Sequence, residues 1–496
     1  MCDAVSVDLL FVRTSHRKIT FEPGVDVAAI SGSPAYERVD ASLFSIFGVI
    51  NVSVVATGAT LHMHKLEYTR APYTVSEYRA TLQIRESASV SVVGGTYRTP
   101  GGDGIFLQNY GPVSLRGVTT DGAWRNGLSV ISANGLHVVD SAFMNTNGTA
   151  PQCGIDIEPD SLRHGPNVLK DIRFQNVLVA SNKRCGLALA AGELMGAPAP
   201  DVDINIDGMI IRDIPGTAYQ WGRPPNHNVG GIGLHILNSY RLSGQVEIRN
   251  LTIERTYAQA VSIENWPAGF ISLKFTALKI RNSTHGVGET RWYGKQPLAP
   301  AFGVPTSPIV VMPGSCANSL DMRKKCNGTD PMLPSGGITF ARSAVYDSVN
   351  RSWLSMMWTG THGHSTPPSL TNLSGDVKVV NQAGCVPAEV GPRASGVNVR
   401  VECLKSAALK IDDIYMPNSE ASAEQPLPVP CPSVYTPPSA STVIRFVSAS
   451  GDNSNSDTSA LAAWKTLLVG HTNRNLLPGM TVNVLNGSYR QQSIAS

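Results

Sequence analysis

Three pieces of one stretch decide the fold: Gly101-Gly102-Asp103-Gly104-Ile105-Phe106-Leu107, Arg125-Asn126-Gly127-Leu128-Ser129-Val130 and Cys153-Gly154-Ile155-Asp156-Ile157-Glu158-Pro159. Each places a glycine before an apolar–any–apolar run. Gly104, Gly127 and Gly154 are 23 and 27 residues apart, and Gly186-Leu187-Ala188-Leu189 repeats the pattern 32 residues later. Looser copies follow at Gly231-Ile232-Gly233-Leu234 and Ala260-Val261-Ser262-Ile263. A second strand with alternating apolar residues comes after each glycine-led one, as at Val113-Ser114-Leu115, Ile172-Arg173-Phe174 and Ile204-Asn205-Ile206. Helical periodicity is nearly absent. A repeat of this size, built from short strands and turn glycines, predicts a solenoid. Its coils would stack with parallel neighbours about 4.8 Å apart.

Bulk composition narrows the class. Charged residues make up 16% of the 496-residue chain, against roughly 25% in ordinary soluble proteins. The 46 glycines and 33 prolines suit many turns and few helices. A net charge of +3 gives no nucleic-acid or membrane footprint. No apolar run approaches the roughly 20 residues of a membrane helix. The start, Met1-Cys2-Asp3-Ala4, shows no basic region ahead of Val5, so no signal peptide is visible. Phe21-Glu22-Pro23-Gly24-Val25 already reads as part of an established coil, as though the chain were a fragment. Eight Asn-x-Ser/Thr sequons, from Asn51 to Asn486, weakly favour secretion.

Eight cysteines lie at scattered spacing without a Cys-x-x-Cys, which suits disulfides better than zinc. Cys153 and Cys185 each directly precede the glycine of their coil. If those coils are consecutive, the two residues stack about 4.8 Å apart, within disulfide range. Buried, unpaired thiols are the alternative. Cys316 and Cys326 enclose nine residues and suit a local disulfide loop.

The β-helix domain is expected over residues 1–418, with Leu66–Arg79 extruded from one coil as a loop and insertions at Ala190–Pro200 and Tyr219–Gly230. An irregular stretch covers 284–335. Residues 419–441 are rich in Pro, Ser and Ala and read as a linker. In the tail, Ala463-Trp464-Lys465-Thr466-Leu467 and Leu477-Pro478-Gly479-Met480-Thr481-Val482 resemble the opening segment of secreted right-handed β-helix proteins. Residues 442–496 are therefore read as the N-terminal cap of a second, incomplete β-helix.

The main body, about residues 20–415, resembles the pectin-lyase-like superfamily through its coil repeat. That resemblance implies an all-β, right-handed, single-stranded parallel β-helix. Within the superfamily, Gly101–Ile105 and Gly154–Pro159 look like the signature of a bacterial-type group of carbohydrate-active proteins. The polygalacturonase set (Asn-Thr-Asp, Gly-Asp-Asp, Gly-His-Gly, Arg-Ile-Lys) and the Asp-Pro-His-Glu motif of alginate epimerases are missing, so no catalytic residue carries over.

Site candidates come from aligning the coils on their glycines. Residues one and three after each glycine are apolar and should point inward; two and four should point outward. The outward set is Phe106, Ser129, Asp156 and Ala188, then Gln108, Ile131, Glu158 and Ala190. Asp156 and Glu158 thus share one face, about 6.6 Å apart along the strand. A carboxylate pair suits acid/base cleavage of a glycosidic bond, and equally a Ca²⁺ that binds a uronate. An acid–base ladder on a solvated strand face is the bland reading. Arg125, Lys183 and Arg184 could hold an acidic sugar or remove a proton, and Trp124 could stack on one or simply pack. Asp103 is either a turn residue bonded to the next coil or a third catalytic carboxylate about 9.6 Å from Asp156. His362 and His364, two apart with no third ligand nearby, read as a surface loop, so no metal site is expected.

These residues point to a secreted or cell-surface monomer that binds polysaccharide and cleaves it by hydrolysis without a cofactor. A Ca²⁺-assisted lyase and a non-catalytic glycan-binding β-helix are the rivals.

Overall fold

A computed structural model describes most of residues 5–405 and two strands of the tail. Residues 109–110, 160–166, 192–193, 195–200, 217–230, 238–241, 265–270 and 284–306 lie outside the described residues. So do most of 313–334, then 348–351, 357–370, 382–388, 391–396 and most of 406–496. The 219–230 insertion, most of the 190–200 insertion, His362, His364, Cys326 and the 419–441 linker therefore fall outside them.

The protein is a right-handed parallel β-helix. Helix is confined to short 3-10 turns among the described residues, as at Pro34–Tyr36 and Glu67–Thr69. The chain divides into two compact units: residues 1–129 with 133–149 and 418–496, and residues 130–132 with 150–417.

In the first unit each coil has three strands, as in Ile105–Gln108, Val113–Arg116 and Thr119–Asp121. The sequence pattern exposes the first two. The third is only three residues long and too short to show a period. The first strands stack in register, with Phe44, Leu82 and Ile105 in one column. The second and third strands do likewise, through Val90 and Val113 and through Thr60, Thr96 and Thr119.

Between second and third strands the chain turns on a residue with positive φ, at Gly117 (64°) and Asp140 (51°). The second unit repeats this turn at Asn176 (54°), Gly208 (72°) and Asn250 (51°). Glycine, Asn and Asp tolerate that left-handed conformation best, which explains the composition of this column. The alternation of each strand then fills the interior: Ile105, Leu107, Val113 and Leu115 in the first unit are fully or almost fully buried.

In the second unit the glycine-led sheet runs through Cys153–Ile157, Cys185–Ala190, Ile232–Leu237, Val261–Glu264 and Ile309–Met312. The other faces are built by Leu169–Gln175, Asp201–Asp207 and Ser243–Arg249, and by Leu178–Ala180, Ile210–Ile214 and Thr252–Thr256. Coils continue to Val397–Lys405.

Two further segments add detail to the expected layout. Leu66–Arg79 leaves the coil but folds back: Tyr68 and Arg79 are buried, and the Arg79 guanidinium lies 4.9 Å from the Tyr68 ring centre. In the tail, Ile444–Val447 pairs with Thr481–Val484, which pairs in parallel with Arg17–Phe21 of the first unit, Lys18 opposite Thr481.

Candidate functional site

The glycine-led strands of the second unit put their outward residues in one line. Asp156 is opposite Ala188, Ala188 opposite His235, and His235 opposite Ser262. Inward neighbours Ile155, Ile157, Leu187, Leu234 and Ile236 are buried in the coil interior, as the glycine alignment requires. The outward row is covered as well. Asp156 is 2% exposed, Ala188 3% and His235 2%. A carboxylate and an imidazole therefore flank a small side chain, two strand spacings or about 9.6 Å apart. Burying polar groups of this kind is costly unless they are satisfied, and Asp156 and His235 both have partners.

Glu158 follows on the same side of its strand and is half-buried. Its N–H donates to the Val130 carbonyl at 3.1 Å. Asp156 and Glu158 are thus on one face, in a more enclosed setting than a solvated ladder. Among the described residues no group of three or more His, Cys, Asp or Glu is arranged to hold a metal ion.

The coil that carries Asp156 is tied to the next by a disulfide. Cys153 pairs in register with Cys185, the Cα atoms are 4.5 Å apart, and the two are bonded. Gly154 lies between Cys153 and the site strand. A Cβ there would collide with Asn182 Nδ2 and Val179 Cγ1, so a side chain fits only if both neighbours shift. Arg184 precedes Cys185; it is buried, and its carbonyl accepts from Gly231 and Ile232. Lys183 is half-buried.

The first unit holds the other candidates. Asp103, just before the strand Ile105–Gln108, is 0% exposed. Its Oδ1 accepts from the Asn126 backbone N–H at 3.1 Å, and Arg125 Nη1 lies 3.4 Å from its Oδ2. Burial pushes its carboxyl up to about 6, against the pull of the Arg125 guanidinium and of hydrogen bonds from Ser129 and Asn126. Arg125 Nε also lies 3.2 Å from Glu77 Oε2, an ion pair not aligned as a hydrogen bond. Asn126 donates to Ser129 Oγ at 3.0 Å. Phe106 and Gln108 are buried; Phe106 lies between Tyr78 (5.9 Å, edge-on) and Arg85 (5.9 Å). Trp124 is half-buried and packs on Gly148, where a Cβ would strike its ring.

His235 was not among the residues selected from the sequence, although the same rule finds it: it is second after Gly233, as Asp156 is second after Gly154.

By sequence, no family model and no curated protein matches this chain. Its structure is similar to the catalytic domain of a GH87 alpha-1,3-glucanase solved with tetrasaccharides: TM-score 0.38, 10% identity, covering 80% of this chain and 62% of that one. It is also similar to an endo-xylogalacturonan hydrolase from Aspergillus tubingensis: TM-score 0.30, 9% identity, covering 83% and 89%. This chain thus spans less than two thirds of the glucanase domain. At these identities the similarity concerns the course of the chain and no site.

Proposed function

We propose that this protein is a secreted, glycan-degrading enzyme of glycoside hydrolase type. Its substrate lies along the outer face of the glycine-led sheet in the second unit, and Asp156 and Glu158 act as the acid/base pair. The observation that carries this reading is the shared face of Asp156 and the half-buried Glu158, with His235 two strands along it. In this reading one carboxyl protonates the glycosidic oxygen while the other carboxylate activates water or attacks the sugar. Asp103 and Arg125 enter as supports of the coils before the site. A disulfide beside Asp156 fits an oxidising compartment.

His235 favours one second reading. An imidazole in line with a carboxylate also suits removal of the proton beside a uronate carboxyl, which makes a lyase. Purified protein screened against a polysaccharide panel tests both. New reducing ends without ultraviolet absorbance mean hydrolysis; absorbance from unsaturated uronates means elimination. Asp156→Asn and Glu158→Gln are each expected to lower cleavage at least a hundredfold in a folded protein. Full activity in both variants removes this site from consideration.

A further inference from the structure

The third-strand face of the first unit carries a cleft of about 420 Å³ that has no part in the site above. Asp26, His62, His64, Lys65, Glu67 and Arg98 line it. His62 is opposite Ala28 on one side and Arg98 on the other, and Arg98 is opposite Asp121. The His62 and Arg98 backbones are thus one strand spacing apart, about 4.8 Å.

His62 and Arg98 are each held at one nitrogen. His62 Nδ1 lies 2.7 Å from Asp26 Oδ1. A carboxylate only accepts, so Nδ1 carries the proton, and in the neutral ring Nε2 is left as an acceptor. Arg98 Nε lies 3.3 Å from Asp121 Oδ2. No other hydrogen bond or ion pair engages His62 Nε2 or the Arg98 terminal amines among the described residues. His64 Nε2 lies 2.7 Å from the Ala29 carbonyl, which fixes that ring against the first, centroids 5.7 Å apart. Glu67 is occupied elsewhere: its carboxylate accepts from Gly32 N–H at 2.6 Å and Ser31 Oγ at 2.8 Å.

A guanidinium held by Nε still offers a two-amine fork, the shape that grips a planar carboxylate or a sulfate. The neighbouring imidazole offers an acceptor, which is what a hydroxyl beside that anionic group needs. We propose that this cleft binds a polyhydroxylated anion: Arg98 takes the charged group and His62 Nε2 accepts from an adjacent hydroxyl. Asp26 and Asp121 act as positioning residues that hold the two side chains in place. The cleft lies wholly within residues 26–99, so the proposal does not depend on the role of Asp156.

The test is isothermal titration of the full chain at pH 7.5 and low salt with glucuronate, inorganic sulfate and glucose. Glucuronate is expected to bind most tightly, sulfate more weakly, and glucose not at all, with affinity falling as salt is added. Arg98→Gln should weaken glucuronate at least tenfold. Arg98→Lys, which keeps the charge and loses the fork, should fall between. His62→Phe should bring glucuronate down to the level of sulfate. Asp156→Asn should change none of these values, which separates this cleft from the proposed catalytic face. Unchanged melting temperatures show that the variants are folded. If sulfate equals glucuronate, the hydroxyl contact to His62 is wrong. Glucose binding as well as glucuronate, no binding of either anion, or an unaltered Arg98→Gln each overturns the proposal.

Discussion

Replacing Asp103 with Asn should remove a specific pH dependence of stability. The Asp103 carboxyl is fully buried, with a folded-state value of about 6 against 3.8 for a free side chain, burial being the main cause. The protonated form is therefore the one the fold prefers. Its contribution is complete below pH 3.8 and is lost as pH rises through about 6. A rise of that size corresponds to about 3 kcal/mol. Asn keeps an oxygen to accept from the Asn126 N–H and does not titrate. Urea midpoints of both proteins at pH 4, 5, 6 and 7 give the difference directly. The native chain should lose up to about 3 kcal/mol relative to Asp103→Asn between pH 4 and 7. Arg125→Gln, which takes away the opposing cation, should move the inflection above pH 6. If the two curves run parallel, Asp103 has the same proton affinity folded and unfolded, and the reasoning from burial fails.

Three further perturbations bear on the coil that carries Asp156. Cys153→Ala with Cys185→Ala opens a loop with 31 intervening residues. Chain entropy puts the loss at about 3–4 kcal/mol, read as a lower denaturant midpoint without reductant and no difference with it; equal midpoints in both conditions would mean that the bond contributes nothing. Gly154→Ala should cost about 1–3 kcal/mol through collision with Asn182 and Val179, while Ile157→Asp should prevent folding by placing an unpaired charge in the interior. A soluble, folded Ile157→Asp protein would show that the inward and outward sides are reversed.

The sequence by itself determined the coil. A glycine followed by alternating apolar residues sets inward and outward sides without any long-range information, because strand side chains alternate. From that parity come the buried Ile155 and Ile157 and the shared face of Asp156 and Glu158; with the coils consecutive it also stacks Cys153 on Cys185.

The tertiary structure decided what parity cannot. Three-residue third strands such as Thr119–Asp121 have no period to read and exist because each pairs with the one before and after it. His235 joins Asp156 only through the register of three strands that are far apart in the chain. The enclosure of that row, and the cleft where Arg98 stands beside His62, depend on stacking coils whose lengths vary from one to the next. Local pattern specifies which way a side chain points; only the packed coils specify what it points at.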